Sequence, residues 1–487
     1  MAAHRQRPAR SANDFPAVSW PVAGVAARRH VGNLVSPPFY RFVLGPARRR
    51  RRAAYTSLME TERWPFERQR ALQEQLLRRL LAEAARTSPW YRERLPGEAD
   101  LAHFGLDDLR RLPILERKDL QDHVEQITGT GRLASGVGEN QSSGSTGTPV
   151  RIYQSREYFV WHAAETFRGL LMCGPIHPWT PRAYFWGNAL QSREHRGLSG
   201  TVHDIMVNTL WFDAFSLRRD TLPETLRRLR AYRPRLIVGY MSIVMEVARA
   251  LDRPLDGLDA IQTTAETITP QDRSVIESGF GAPVFNRYGT NEVGTIAQEC
   301  HLHDGLHVVM ENNIVEVVGP DGRPLTTPGA EGDVLITNLR NFATPLIRYR
   351  LGDVVRLGTD GCACGRGSAR LESVIGRTSD IIVSPAGVLL HGLFFLKLFY
   401  GAPVLSFRVD QETPERLRLR VVPAARYSDE VRQRITSQIL AHGDPRFEVV
   451  WEIVDEIPRS AAGKYRVTVN HVPRVTVART ETTPPAR

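Results

Sequence analysis

The segment that most constrains this chain is a run of small hydroxyl and glycine residues from Gln141 to Val150, QSSGSTGTPV. Alternating hydroxyl residues and glycines can direct several backbone N–H groups and hydroxyls into one concavity, as proteins do when they bind phosphate groups. The segment is not a Walker phosphate loop, because Thr148 and Pro149 stand where that motif requires a lysine. A flexible Ser/Gly surface loop is the alternative interpretation of the same composition.

The composition of the 487 residues, 42% apolar and 24% charged, predicts a globular chain with two or three domains. No run approaches eighteen uninterrupted apolar residues, so we expect no membrane span. The net charge of +11 rests on 64 basic residues, of which only Lys118, Lys397 and Lys464 are lysines. This arginine excess indicates first a genome-composition effect and second a general preference for anionic ligands such as nucleotides. The run Arg48–Arg52 could contact nucleic acid or anionic lipid, but it has no interleaved aromatic residues. We therefore interpret it as a solvated helix face or tail and expect no nucleic-acid partner.

The cysteine content indicates a reducing compartment. Four cysteines in a chain of this length, two of them in Cys362-Ala363-Cys364, do not form a disulfide framework. The first sixty residues are rich in arginine and poor in acids, which faintly resembles a transit peptide, but Arg28, Arg29 and His30 interrupt any signal-peptide core. We therefore expect a cytoplasmic protein.

Apolar periodicity predicts the organisation of the middle of the chain. Leucines at spacings of three and four predict an amphipathic helix from Phe66 to Ala85. Helical and strand-like segments then alternate: helices over Thr221–Arg233 and Met241–Leu251, and strands over Leu236–Tyr240 and Ala260–Thr264. This alternation predicts an α/β fold with a layered domain and a largely parallel sheet.

The last third of the chain is richer in strand patterns. Runs after Leu306 predict a β-rich subdomain, and a smaller unit begins beyond Gly376. The predicted elements of that unit are strands near Ile381–Val383 and Leu417–Val422 and a helix near Asp429–Ala441. We therefore predict a partly ordered leader over 1–60, a layered N-terminal α/β domain over 61–376, a small mobile α+β C-terminal domain over 377–472, and a disordered tail over 473–487.

Four further motifs carry residues with chemical potential. Asn286–Gly294, NRYGTNEVG, offers an aromatic side chain for a planar base, a glycine turn and a lone glutamate for Mg²⁺. Leu346–Asp353, LIRYRLGD, ends on a carboxylate that could bind both hydroxyls of a ribose. Each of these two segments also fits an ordinary turn at the end of a strand. Gly376–Asp380, GRTSD, follows, and Pro458–Arg466, PRSAAGKYR, presents one of the three lysines.

In their order and spacing, these five motifs resemble the adenylate-forming superfamily of acyl-CoA synthetases, luciferase and peptide-synthetase adenylation domains. The segments SPWYRERL, LRRLPILERKDL, GYMS and NLRNFATPLIRYRLGD resemble more narrowly the phenylacetate-CoA ligase and CapK branch of that superfamily. The resemblance covers roughly residues 65–470.

The resemblance implies a role for each matching residue. The ATP phosphates would be bound by Ser142, Ser143, Gly144, Ser145, Thr146, Gly147 and Thr148. The adenine would be bound by Ala265, Glu266, Tyr288 and Gly289. Asp353 would bind the ribose hydroxyls, assisted by Arg377, and Glu292 would hold Mg²⁺. The family usually has Ser or Thr before this glutamate, so here the α-phosphate contact would come from Thr290 or the amide of Asn291. Lys464 would enter from the C-terminal domain and stabilise charge at the α-phosphate.

The implied activity is that of an ATP-dependent ligase, which activates a carboxylic acid as acyl-AMP, releases pyrophosphate and transfers the acyl group to a thiol, CoA in most relatives. Two departures concern the second step: Ser379 replaces the usual hinge aspartate, and Val383–Gly387 replaces the Arg-Gly pair that faces pantetheine. A carrier-protein, amine or hydroxyl acceptor therefore remains an alternative, as does a catalytically silent homologue. The oligomeric state is open, a dimer being compatible.

The acid is expected to be aromatic or otherwise apolar. This expectation rests on the aromatic residues between Trp186 and Thr264, which include Trp211, Phe212, Phe215 and Tyr240.

The cysteines suggest a structural metal site. Cys300, Cys362 and Cys364 supply three thiolates, and His301, His303 or His307 could supply an imidazole, which is a ligand set for tetrahedral Zn²⁺. We favour His307, because Gly305 lets the chain turn back towards Cys300. Unpaired thiols with exposed histidines are the alternative.

Overall fold

The computed structural model describes most of the chain from residue 22 to residue 472. The described ranges are 22–38, 45–129, 137–141, 150–187, 198–214, 217, 220–377, 382–386, 389–390, 392–399, 402–458 and 466–472. The chain forms two compact units that interleave along the sequence. One comprises residues 1–60, 160–287 and 298–303, and the other comprises 61–159, 288–297 and 304–487.

The described helices are distributed along the whole chain. They span Val22–Pro38, Gly45–Thr61, Phe66–Thr87, Pro89–Arg92, Glu98–Leu101, Arg117–Ile127, Arg156–Met172, Leu198–Met206, Leu222–Tyr232, Met241–Ala250, Pro270–Phe280, Gly392–Phe399 and Asp429–His442, with a 3₁₀ helix over Leu106–Arg111. No helix within the described ranges combines the length and the apolar character needed to cross a bilayer.

The described strands are numbered in chain order. They are β1 Gly138–Gln141, β2 Arg151–Gln154, β3 Arg182–Trp186, β4 Thr209–Asp213, β5 Leu236–Tyr240, β6 Ala260–Thr264, β7 Val284–Thr290, β8 Gly294–Glu299, β9 Leu306–Val308, β10 Asn313–Val318, β11 Glu331–Asn338, β12 Tyr349–Leu357, β13 Arg370–Arg377, β14 Ile382–Val383, β15 Leu389–Leu390, β16 Val404–Gln411, β17 Arg416–Pro423, β18 Glu448–Ile453 and β19 Thr468–Asn470. Eleven of these strands form one sheet of order β10-β11-β12-β13-β9-β8-β7-β6-β5-β3-β4.

The parallel part of this sheet is the layered α/β architecture that the sequence predicts. Strands β4, β3, β5, β6 and β7 pair in parallel in that order. Every residue of β5 and β6 is buried, as expected for central strands covered on both faces. The predicted strands Leu236–Tyr240 and Ala260–Thr264 are confirmed at their observed bounds, and the predicted α/β fold class is confirmed.

The antiparallel part of the sheet is the predicted β-rich subdomain. Strands β10, β11, β12 and β13 pair antiparallel in sequence order, and β13 pairs with β9. The helix Phe66–Thr87, predicted to end at Ala85, contributes fully buried Leu77, Leu80 and Leu81 to the core that these strands share. The helix stops before Pro89, because the residue that precedes a proline disfavours helical torsions.

The C-terminal residues have a core of their own. Strands β16–β19 form a four-stranded sheet, against which helices Gly392–Phe399 and Asp429–His442 contribute apolar side chains. The predicted helix near Asp429–Ala441 is therefore confirmed. The mobility of this segment and the predicted boundary at residue 376 stay predictions.

Two helices occupy the N-terminal region, where weak periodicity had predicted only a partly ordered leader. Val22–Pro38 and Gly45–Thr61 are both 17 residues long. Periodicity is weak in the second helix because its first turns are solvated: Arg49–Arg52 are all exposed, and burial begins at Ala54 and Leu58. The interpretation of the arginine run as a solvated helix face is thus confirmed for these four residues.

Candidate active site and cysteine cluster

Three side chains predicted to bind a nucleotide lie together. The hydroxyl of Tyr288, on β7, donates to Oδ2 of Asp353 at 2.8 Å. The Nε of Arg377 lies 3.6 Å from the other carboxylate oxygen. Asp353 and Arg377 are paired in register on the adjacent strands β12 and β13. The sheet therefore brings a phenol, a carboxylate and a guanidinium to one point, although the sequence separates the first two by 65 positions.

Burial determines the protonation state of the Tyr288 phenol. Burial raises the pKa of Tyr288 well above its ordinary value, and the neighbouring Asp353 carboxylate raises it further. The phenol therefore remains protonated and acts as a hydrogen-bond donor. Gly289, the next residue, has no room for a side chain, because a Cβ atom there would lie 2.6 Å from the carbonyl oxygen of Gly294. The end of β7 consequently requires glycine at this position, where it lies against the start of β8.

Glu292, the predicted Mg²⁺ ligand, has a neighbour that the sequence did not indicate. An Nη atom of Arg117 lies 3.9 Å from Oε1 of Glu292, whose side chain is 11% exposed. Arg117 also hydrogen-bonds the buried Tyr349, and burial together with the Glu292 charge raises the pKa of that tyrosine. Arg117 begins the helix Arg117–Ile127 and belongs to the LRRLPILERKDL segment. Its membership of that segment was the only feature of the sequence that could have indicated a place for Arg117 in the site.

The strands that flank the predicted phosphate-binding segment are tied to the glutamate loop. β1 and β2 form an antiparallel hairpin in which Gln141 pairs with Arg151. The side-chain amides of Asn140 and Gln154 both donate to the carbonyl oxygen of Asn291, at 2.9 and 3.1 Å. The hairpin is therefore anchored beside the residues that precede Glu292.

Thr290 offers an unused hydroxyl at the end of β7. Its Oγ1 is buried and finds no hydrogen-bond partner among the residues that the structure describes. A buried hydroxyl without a hydrogen bond is unfavourable. A bound ligand that makes this hydrogen bond would explain why the hydroxyl is there.

Ala265 and Glu266 directly follow β6, and the first is notable for its backbone conformation and the second for its side-chain hydrogen bonds. Ala265 has a φ of 73°, in the left-handed region that a residue with a Cβ rarely adopts. The carboxylate of Glu266 accepts from the backbone N–H of Ser242 at 2.7 Å and from its hydroxyl at 3.0 Å. Glu266 thus binds the start of the helix Met241–Ala250, where a negative charge is stabilising. The Glu266 side chain therefore binds the GYMS turn.

The aromatic residues predicted to contact the acid divide between the two faces of the sheet. Phe212 stacks on Phe185 with ring centroids 4.8 Å apart and is buried in the core. Trp211 points to the opposite face, since side chains alternate along a strand. Tyr240 ends β5 and packs against Trp186, which ends β3, with centroids 5.1 Å apart. Phe212 is therefore a core residue, and the pair at the strand ends remains as the candidate wall for an acid.

The predicted metal ligands form a cluster. One ligand atom from each of Cys300, His307, Cys362 and Cys364 lies within 4.8 Å of all the others. The Sγ of Cys364 is 3.4 Å from Nε2 of His307. The preference for His307 agrees with this geometry, because His303 instead lies 3.2 Å from Oε2 of Glu299 and His301 is exposed.

Strand pairing explains how the cluster is assembled. Cys300 follows β8 directly, and His307 lies on β9 in register with Arg370 of β13. Gly305 has a φ of +78°, and a Cβ there would lie 2.6 Å from the carbonyl oxygen of Leu371, so the close return of the chain needs this glycine. The Nδ1 of His307 is 3.0 Å from Oγ of Ser368, which orients the ring with Nε2 towards the thiols.

Other predicted site residues lie outside the described residues. They are Ser142, Ser143, Gly144, Ser145, Thr146, Gly147, Thr148, Phe215, Ser379 and Lys464.

Comparisons with solved structures show which fold the chain has. No family model matches the chain. The fold is similar to that of 2-hydroxyisobutyryl-CoA ligase in complex with an acyl-AMP, with a TM-score of 0.68 at 18% identity over 84% of this chain and 91% of that one. An o-succinylbenzoate CoA synthetase from Bacillus subtilis, in complex with an acyl-adenylate, matches with a TM-score of 0.50 at 16% identity over 68% and 67%. The fold is thus that of the adenylate-forming CoA ligases.

Curated relatives narrow the resemblance to one branch. The chain is 28% identical to a phenylacetate-coenzyme A ligase of Thermus thermophilus over 66% of this chain and 74% of that relative. It is also 28% identical to a phenylacetate-coenzyme A ligase of Escherichia coli, over 64% and 72%. Protein CapK of Staphylococcus aureus is 23% identical over 55% and 59%. The predicted resemblance to the phenylacetate-CoA ligase and CapK branch is therefore confirmed.

Proposed function

We propose that this chain is an ATP-dependent acid–thiol ligase, which converts a carboxylic acid to an acyl-adenylate with release of pyrophosphate and then transfers the acyl group to CoA. The observation that carries the proposal is the contact of Tyr288 and Arg377 with Asp353, which gathers three residues of separate motifs into one polar group. The curated relatives named phenylacetate-coenzyme A ligase support the same activity.

The nucleoside is held by this group in the proposed complex. Asp353 accepts hydrogen bonds from the ribose hydroxyls, and the Arg377 guanidinium lies beside the carboxylate. Tyr288 donates to the second oxygen and so fixes the carboxylate orientation. The glycine required at position 289 lets the backbone approach the base closely.

The phosphates lie towards the end of β7. Glu292 would hold Mg²⁺, which would supply positive charge to the phosphates, and its carboxylate is the type of oxygen ligand that this ion prefers. The orphan hydroxyl of Thr290 supports a phosphate contact at this end of the strand. The Ser142–Thr148 motif would bind the phosphates, and the described strands on either side of it donate hydrogen bonds to the carbonyl of Asn291, next to Glu292.

The carboxylate of the acid attacks the α-phosphorus while the bond to pyrophosphate breaks. Lys464 neutralises the charge that develops between the two groups, because in-line displacement requires alignment and electrostatic stabilisation. The thiolate of the acceptor then attacks the acyl carbon, and AMP leaves with one oxygen of the original carboxylate.

The four-residue cluster of Cys300, His307, Cys362 and Cys364 holds a structural Zn²⁺ in this proposal. Three thiolates and one imidazole complete a tetrahedral shell with no open position for a substrate, which is typical of structural sites. A histidine that binds zinc through one ring nitrogen usually makes a hydrogen bond through the other. The contact between Nδ1 of His307 and Oγ of Ser368 supplies this hydrogen bond. The metal would fasten the segment before β13 to the end of β8.

Acid-dependent exchange between ATP and labelled pyrophosphate tests the first half-reaction across a library of carboxylic acids. We expect at least one acid to support exchange, and we expect Asp353→Asn to raise the KM for ATP about tenfold or more by weakening a charged hydrogen-bond acceptor. Asp107→Asn, at a carboxylate 93% exposed, is the matched control and should change nothing. Failure of every acid with wild-type protein would contradict the proposed function.

A further inference from the structure

The carboxyl ends of the parallel strands carry one row of side chains on a single face of the sheet. Tyr240 pairs with Thr264, and Thr264 pairs with Arg287, in the registers of β5, β6 and β7. Trp186 continues the row on β3, since Phe185 pairs with Gly239 one position earlier. Side chains in register on parallel strands project to the same face. The row therefore runs aromatic, aromatic, threonine, arginine along the edge where open α/β sheets bind ligands.

The side chain of Arg287 extends along this row towards Trp186. Three strand spacings separate its backbone from that of Trp186, about 14 Å. Its guanidinium carbon nevertheless lies 6.0 Å from the centre of the Trp186 ring. The side chain thus crosses the small residue Thr264 and places its charge beside the aromatic pair.

One nitrogen of the Arg287 guanidinium, the buried Nε, lacks a hydrogen-bond partner among the described residues. A nearby aromatic ring attracts the cation but accepts no conventional hydrogen bond. Buried donors are rarely left without an acceptor, and a guanidinium has a planar fork that fits a carboxylate. The row therefore offers an apolar wall and an anion receptor side by side.

We propose that Arg287 selects carboxylic acids that carry a second anionic group, and that the preferred substrates are aromatic dicarboxylates. This inference rests on the proposed ligase function and refines the expected aromatic or apolar acid. The aromatic ring packs against Trp186 and Tyr240, and the carboxylate that does not react pairs with Arg287. Arg287 precedes Thr290 by three residues on the same strand, about 10 Å in an extended chain. That separation suits the distal group better than the carboxylate that attacks the phosphate.

The chain offers a close control for the chemistry of Arg287. Arg228 has a buried Nε that also lacks a partner among the described residues, and its guanidinium lies 4.9 Å from the centre of the Phe212 ring. Asp213 is in register with Trp186, and Phe212 is the residue before Asp213. The Phe212 ring therefore lies on the face of the sheet opposite to the Trp186 ring. Arg228→Met removes the same charge and the same type of ring contact away from the row.

The test compares phenylacetate with its 3- and 4-carboxy derivatives in ATP–pyrophosphate exchange by the full-length protein. We expect a wild-type preference for a carboxy derivative. Arg287→Met should lower kcat/KM for that derivative about 10- to 100-fold more than it lowers kcat/KM for phenylacetate, as for loss of one charge-assisted hydrogen bond. Arg287→Lys should keep part of the preference, because it retains the charge without the fork. Arg228→Met should keep all of it.

Two results would overturn the inference in distinguishable ways. If Arg287→Met changes neither acid, or lowers kcat/KM equally for both, Arg287 has no role in selecting a second anionic group, while the ligase activity stands. If no acid of any kind supports exchange by the wild-type protein, the proposed function fails, and the inference fails with it.

Discussion

The hydroxyl of Tyr288 donates a 2.8 Å hydrogen bond to the carboxylate of Asp353, and this contact joins the central strand β7 to strand β12 of the antiparallel subdomain. The acceptor is buried, with only 7% of Asp353 exposed. A buried carboxylate needs hydrogen-bond donors to remain charged, and here it has the phenol and the nearby Arg377. The pair therefore presents a charged acceptor in a fixed orientation.

Tyr288→Phe should weaken ATP binding. The variant keeps the ring and removes the donor, and a hydrogen bond to a charged group contributes about 1.5 to 3 kcal/mol. We expect the KM for ATP in pyrophosphate exchange to rise by roughly tenfold or more. The control is Tyr91→Phe, which removes a buried hydroxyl bonded to the carbonyl oxygen of Pro345 at 2.9 Å. Equal KM values for both variants would show that the Tyr288 hydroxyl does not orient Asp353.

Gly289→Ala should destabilise the end of β7. The added methyl group would lie 2.6 Å from the backbone oxygen of Gly294, which cannot move without disturbing β8. Overpacking of this kind costs about 1 to 3 kcal/mol. We expect a lower midpoint in thermal unfolding together with loss of exchange activity. Gly97→Ala, where nothing lies within 4 Å of the added atom, is the control. A Gly289→Ala protein with wild-type stability and activity would refute the requirement for glycine.

The cysteine cluster should contain about one Zn²⁺ per chain when protein is purified without chelator. Cys362→Ser should abolish the bound metal and lower thermal stability, because structural zinc contributes directly to folding. The KM for ATP at a temperature where the variant is folded should stay close to the wild-type value. Cys173→Ala, at a buried thiol outside the cluster, should retain the metal. Metal analysis that finds no zinc in the wild-type protein would refute this site.

Lys464 should serve adenylation only. Lys464→Ala should lose about 2.7 to 4 kcal/mol of transition-state stabilisation in acid-dependent exchange, as for removal of one preorganised donor. Supplied with preformed acyl-adenylate, the same variant should transfer the acyl group at a rate near that of wild type. Ser379→Pro should do the reverse, because a proline locks the backbone torsion that a domain rotation would use. Equal loss of both half-reactions in Lys464→Ala would contradict this division of roles.

The sequence predicted those parts of the fold in which local pattern and tertiary context agree. Strand Leu236–Tyr240 is a continuous apolar run, and in the fold both of its faces are buried. The helix Val22–Pro38 escaped prediction because its buried positions, such as Val25 and Arg28, include a charged residue held by Asp204. Its stability depends on tertiary contacts more than on an apolar stripe.

Site residues were predicted where the residue types of a local motif indicate a chemical role. Site residues were not predicted where the role depends on a partner that only the fold brings close. His307 could be chosen because Gly305 marks a turn. Arg117 could not be placed beside Glu292, because 175 residues of chain separate them and surface-like basic residues carry no signal of their destination. The role of Glu266 in binding Ser242 was also missed, because it depends on the alignment of β5 with β6, which pairs Tyr240 with Thr264.

The most direct test of the central claim follows an oxygen atom. The acid identified by pyrophosphate exchange is labelled with oxygen-18 in its carboxylate and incubated with the protein, ATP, Mg²⁺ and CoA, and the AMP is analysed by mass spectrometry. If the carboxylate attacks the α-phosphorus and the thiol then displaces AMP, each AMP molecule carries one oxygen-18 atom. Unlabelled AMP, or ADP in place of AMP, would contradict the formation of an acyl-adenylate.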